Sequence, residues 1–589
     1  MATRCSTGMA SGIAGALVLG LLVLWGSGCA TPGGGGGGGQ AAENENAETN
    51  ENAGDGEANE NAADGEANEN AAPTEPAPEL FAASTQCAAC HNGLTDAEGN
   101  DVSIEANWKS TIMANATRDP YYQAKVSSEV EHNPALQEII EDKCATCHAP
   151  MARTQAVADG ATGALLGEGF LSAENELHEW ALDSVSCTAC HQIQDEALGE
   201  PESFGGEYRI DTTTEKPDRL TYGPFDDQQG DVMQSATGYV PVQGRQVSDA
   251  GLCATCHTVI TPFVDAEGNV AGEFPEQVPY LEWRHSEFGD GLGEDQTCQD
   301  CHLPDAEGAA AISSIPPGLE ARSPFGRHHF VGGNVFMLAM LQEGEEELEV
   351  AAAQADFDAT VTRTLSQLQE NAAGLTIERA ELDGDTVAVD VRVENLAGHR
   401  LPTGFPSRRV WLQLTVADGA GETVFESGAP QADGRIAGND ADADITSAEP
   451  HHDVITAEDQ VQIYESVMQD TDGQVTYILL RGATYAKDNR VPPRGFDKDT
   501  AEADFAVYGA ATGDDDFVGG SDEIEYRINV ADAEGPFTVT ARLLYQSVAY
   551  PFVEAFQETD TPLVQRFLNY YDEADKTPIV MATAEQTVP

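Results

Sequence analysis

Ten cysteines and five histidines recur at one fixed spacing: Cys87-Ala-Ala-Cys90-His91, Cys144-Ala-Thr-Cys147-His148, Cys187-Thr-Ala-Cys190-His191, Cys253-Ala-Thr-Cys256-His257 and Cys298-Gln-Asp-Cys301-His302. Thiols three residues apart share one side of a helical turn. There they can add to the two vinyl groups of one porphyrin, and the imidazole that follows can reach the iron as proximal ligand. C-x-x-C-H is the attachment signal for covalent c-type haem. A zinc tetrahedron would combine the pairs two by two, leaving one of five unpartnered and every His without a role. Redox dithiols and structural disulfides also give the histidines nothing to do. The two cysteines outside the signatures, Cys5 and Cys29, lie near the N-terminus. The reading is five covalently attached haem c groups.

A second axial ligand decides what such a group does. Two strong ligands make an electron shuttle, whereas an open position can activate a substrate. His132, His178 and His285 each precede a signature by about a dozen residues, as ligands from a preceding segment would. His328 and His329 follow the last signature on an Arg-His-His-Phe-Val-Gly-Gly turn. These five histidines are candidate distal ligands, and a solvent-facing histidine is the bland alternative for each.

Cys-x-x-Cys-His followed by Trp-x-x-Ser/Thr-x-His resembles the haem segments of cytochrome c-554/c-prime-like multihaem proteins, which are bacterial electron carriers. The similarity is clearest at Trp108-Lys-Ser-Thr111-Ile-Met113 and Glu282-Trp283-Arg-His-Ser286-Glu-Phe288, where Met113 and Phe288 stand at that family's His position. The resemblance keeps Met113 as a candidate distal ligand and excludes Phe288, whose place His285 could take. It does not extend to pentahaem nitrite reductase, whose C-x-x-C-K motif is absent. Gly398-His399-Arg-Leu-Pro402-Thr403-Gly404 is similar to a turn of the β-domains appended to bacterial multihaem cytochromes. That resemblance implies His399 as a further distal ligand, with Arg408 or Arg409 pairing a haem propionate. A plain surface turn is the alternative.

The elements that must position these residues divide the chain. Residues 1–29 read as an export leader: Arg4, an apolar run from Ile13 to Trp25 too short to span a membrane comfortably, then Gly-Ser-Gly-Cys29, which resembles a lipobox. Residues 30–79 carry a seven-glycine run and a repeated nine-residue acidic unit, the composition of a disordered tether. Residues 80–345 read as a loop-rich, mainly α multihaem cytochrome c domain, with helices at 135–144 and 334–342. Porphyrins would fill much of its core, at about 43 residues per haem between Cys87 and His302. A connecting helix at 346–374, capped by Gly374, precedes strands at 375–382, 386–394, 410–416, 423–426, 461–467, 475–480, 524–530 and 537–545. The spacing predicts an all-β, Ig-like sandwich over 375–550 and a helical tail over 551–589, hence a multidomain protein.

The formal net charge of −72 repels nucleic acid and favours basic redox protein partners. Acidic loops at 439–444 and at 514–516 with 521–523 offer oxygens that calcium would suit, without the twelve-residue loop pattern; solvated loops are the alternative. The leading reading is an exported pentahaem cytochrome passing single electrons, periplasmic or facing the cell envelope and anchored to the membrane by lipid at Cys29. The alternative is a multihaem oxidoreductase acting on a small nitrogen or sulfur compound at an open-coordinate haem.

Overall fold

The computed structural model describes residues 79–226, 228–289 and 296–589. The leader, the tether up to residue 78, and the anchor at Cys29 lie outside the described residues. Among the described residues, no helix is long and apolar enough to cross a membrane.

The first half is built from short helices and loops. Each of the five signatures ends a helical segment: Ser84–His91, Gln137–His148, Cys187–Cys190 with His191 as its cap, Ala250–His257 and Cys298–His302. The helix expected at 135–144 begins two residues later and continues through the whole second signature, because Pro134–Leu136 takes a 3-10 turn. Pro120–His132 is the longest helix of this half. Proline stands at its first position, and Asp119 accepts from the backbone N–H of Tyr121 and Tyr122 as N-cap. Two small sheets interrupt the loops: an antiparallel hairpin of Val259–Val264 with Val270–Gln277, and a parallel pair of Arg219–Gly223 with Tyr239–Gln243.

The second half opens with the helix Gln354–Glu370, shorter than expected. It is capped by Asn371, and Gly374 is not its cap. Ala373 and Gly374 instead begin the strand Ala373–Asp383, recruited by pairing with Asn395 and Glu394 of Thr386–Asn395. A four-stranded sheet runs in the order Ala373–Asp383, Thr386–Asn395, Ser521–Asn529, Val454–Ile455. A second sheet runs Ile463–Tyr464, Arg409–Ala417, Phe537–Gln546, Ile579–Val588, with Thr423–Ser427 also on Arg409–Ala417. Side chains alternate with period two, so Val387, Val389, Val391 and Val393 of one sheet meet Val539, Ala541 and Leu543 of the other in one core. Each buried valine or leucine there contributes about 1.5–3 kcal/mol.

Two sequence expectations fail here for visible reasons. Residues 475–480 form no strand. Lys125 and Glu129 of the helix Pro120–His132 take up their backbone groups: Glu129 accepts from Leu479 N–H (2.7 Å) and Leu480 N–H (3.3 Å), and Lys125 donates to the Tyr477 carbonyl. The strand that pairs with Ser466–Gln469 is Thr484–Asp488. The tail is also only partly helical. After Pro562–Glu573 the chain returns as the strand Ile579–Val588, antiparallel to Phe537–Gln546.

The two halves share cores. Tyr121, Phe263 and Phe274 pack with Phe552, Phe556 and Phe567, and Val278 belongs to the inter-sheet cluster.

Candidate haem-binding site

Chemistry at the five signatures begins with the tautomer of each proximal imidazole. A histidine that donates from Nδ1 keeps its Nε2 lone pair free for a metal. Nδ1 lies against a backbone carbonyl in four of them: His91 on Ile312 (2.7 Å), His148 on Ala116 (3.3 Å), His191 on Tyr222 (2.6 Å) and His302 on Val331 (2.6 Å). Burial keeps these rings neutral. It depresses His148 and His257 to about 4 and lowers His91, His191 and His302. Tyr122 lies flat on His148, ring centres 3.8 Å apart and planes within 5°. A phenol on the ring face fixes its rotation without obstructing the in-plane lone pair.

Two proximal rings face a second imidazole. His302 and His399 have ring centres 6.3 Å apart with planes 24° apart; His191 and His328 are 6.4 Å and 23° apart. Both separations are too long for face contact. Two imidazoles bound to opposite sides of one metal require about 6 Å, the sum of two metal–nitrogen bonds of about 2 Å and half of each ring. His328 and His399 each direct Nδ1 to a main-chain carbonyl, of Gly326 (3.2 Å) and Arg400 (3.0 Å). Burial depresses His328 to about 3 and lowers His399. Both pairs therefore present neutral rings at the spacing that axial ligation demands, and the residues present fit haem.

A buried ion-pair cluster places His399. Glu282, Arg400, Asp488 and Arg490 are at most 5% exposed. Arg400 approaches Asp488 at 2.8 Å, and Arg490 reaches both Glu282 (3.2 Å) and Asp488 (2.7 Å). Glu282 also accepts from the Arg400 N–H (3.1 Å) and the Thr403 hydroxyl (2.5 Å), tying the turn to the helix Pro279–Arg284. Gly398 lets the turn lie close to that helix: a Cβ there would stand 3.3 Å from Trp283 and 3.4 Å from Phe288, a tight fit. Phe288 thus packs beneath the turn that carries His399.

The other candidates are placed differently. His132 and His285 are exposed; each turns Nδ1 to a carbonyl four residues back (2.8 Å), and His285 stacks on Phe505 at 4.2 Å. His178 is buried with both nitrogens engaged, on the Phe170 carbonyl (2.8 Å) and the Glu349 carboxylate (3.2 Å). His329 is held neutral near 4 by burial, Arg363 and Arg327. Met113 is half-buried, and its carbonyl accepts from Val185, two residues before the third signature. Arg409 cannot serve a propionate: it is fully buried and doubly bonded to Asp442 (2.8 and 3.1 Å). Arg408 donates to the Thr403 carbonyl (2.6 Å) and stands close enough to His257 and His399 to lower both.

The signatures also meet one another. Thiols lie within hydrogen-bonding reach in the pairs Cys87–Cys187, Cys147–Cys256 and Cys253–Cys298. The first signature helix packs on the third, and the fourth on the fifth. The sequence order of the signatures is therefore not their spatial order. Nothing in the local sequence announces the Glu282 cluster either, because its members are up to 208 residues apart.

No family model matches the chain, and no curated protein matches it. Among solved structures, a penta-haem cytochrome c552 from Thermochromatium tepidum is similar over 87% of this chain and 100% of its own, with 17% identity and a TM-score of 0.47.

Proposed function

We propose that this chain is a pentahaem c-type cytochrome whose role is single-electron transfer. The observation that carries the reading is the opposition of His399 to His302, repeated by His328 and His191. Bound haem would supply one-electron iron chemistry at these positions. The chain's own residues do the rest. Paired thiols tether, carbonyl-bonded imidazoles present Nε2, and burial excludes water and keeps the rings neutral. Adjacent signatures make a connected set: the first beside the third, the third beside the fourth through Cys190 and Cys256, and the fourth beside both second and fifth.

In the same reading the protein is exported, held at the cell envelope through lipid at Cys29, with the two-sheet module acting as a sandwich that caps the haem region. A net charge of −72 favours basic redox proteins as partners and disfavours nucleic acid.

The test is expression in a host that attaches haem covalently, followed by haem quantitation and low-temperature EPR of the oxidised protein. Five haems per chain with low-spin signals are expected. A colourless product overturns the reading. A high-spin ferric signal that shifts with nitrite or hydroxylamine replaces it with the oxidoreductase alternative.

A further inference from the structure

One cluster of ligating groups stands apart from the haem signatures, at the edge of the four-stranded sheet. His451, Asp514 and Asp522 are buried and bring one ligand atom each within 4.8 Å of the others; Asp453, Asp514 and Asp516 do the same on the solvent side. Asp522 is 1% exposed. Its Oδ2 accepts from Gln462 (3.0 Å) and Tyr464 (2.8 Å), but its Oδ1 is buried with no partner. An unpaired buried carboxylate oxygen costs several kcal/mol unless something positive meets it.

The histidine decides which cation. His451 Nδ1 receives the side-chain amides of Gln462 (2.8 Å) and Asn489 (3.0 Å). Neither amide can be flipped, because the oxygen of each already accepts a backbone N–H, from His452 (2.8 Å) and Glu465 (3.1 Å). Nδ1 is therefore an acceptor, and Nε2 must carry the proton, which it donates to Asp514 Oδ2 at 3.0 Å. A protonated nitrogen cannot ligate. The histidine orients a ligating carboxylate from behind, and the donors left are all oxygens.

We propose that Asp522 Oδ1 and the Asp514 carboxylate, closed on the solvent side by Asp453 and Asp516, bind one calcium ion. Asp514 is common to both groups, with oxygens of Asp522 on its buried side and of Asp453 and Asp516 on its solvent side within 4.8 Å of its own, a spacing that suits bonds of about 2.3–2.6 Å to a hard cation and leaves room for water to complete its shell. The other acidic loop, 439–444, is not such a site: Asp442 is spent on Arg409, and Asn439 caps the helix Asp440–Ala443.

The test is calorimetric titration of the chelator-treated, haem-loaded full chain with calcium chloride, then with zinc chloride. The expected result is one calcium site above the weak counter-ion background, undisturbed by equimolar zinc. Asp522→Asn and, as an exposed alternative less able to perturb folding, Asp516→Asn should each weaken that site about tenfold or more, with haem content and the EPR spectrum unchanged. Absence of a stoichiometric site, equal binding by wild type and Asp516→Asn, or displacement by zinc would overturn the proposal. Because haem content is read separately, its failure leaves the cytochrome reading standing, and the reverse.

Discussion

The imidazole of His399 stands 6.3 Å from that of His302, ring centre to ring centre, although 97 residues separate them in sequence. One belongs to the fifth cysteine signature and the other to a turn between two strands of the β-rich half. The pair exists because the buried Glu282 holds the turn by its backbone and by the Thr403 hydroxyl.

Replacing His399 with alanine should leave five haems per chain but turn one low-spin ferric signal high-spin, because thioether attachment needs only the signature. EPR beside haem quantitation checks this. His328→Ala should do the same to a second signal. Spectra unchanged in both variants would mean that neither ring is an axial ligand.

Glu282→Ala should destabilise the protein by about 3–5 kcal/mol, since it leaves the buried Arg400 and Arg490 guanidiniums to share Asp488 as their one carboxylate partner. Denaturant unfolding measures the loss. The same variant releases the turn that carries His399, so the signal lost in His399→Ala should broaden or weaken here too. A thinner core alone would leave it intact.

Burial raises the Asp119 carboxyl to about 6, against the pull of two backbone N–H donors and Arg408. Between about pH 4 and 6 the folded state holds a proton that the unfolded chain has released, so stability from this group falls as pH rises through that window. Asparagine keeps the N-cap without the charge. Asp119→Asn should therefore be near neutral at pH 4 and stabilising above pH 6, by up to about 3 kcal/mol. Thermal unfolding at several pH values follows the difference, and a pH-independent difference would refute the assignment.

Replacing Cys298 and Cys301 together with alanine should lower the covalent haem count from five to four, read by haem quantitation and by mass. A count that stays at five would show that this signature does not hold one.

Much of the chemistry is local and is written in the chain. Thiol spacing and the following histidine depend on one helical turn, so all five signatures could be read directly, and each does end a helical segment. Most strands of the second half were also legible, because their alternation is a property of neighbours along the chain. Residues 475–480 were not, since Lys125 and Glu129 from a distant helix claim their backbone, and Ile579–Val588 was missed because its partner strand lies more than thirty residues upstream. Sequence alone singled out the cysteines and histidines proposed to hold haem. Only the tertiary structure decided which histidines face one another, that Arg409 serves Asp442, and that His451 must point a proton at Asp514. Opposition, burial and hydrogen-bond direction are relations between segments far apart in the chain, and residue spacing along it cannot encode them.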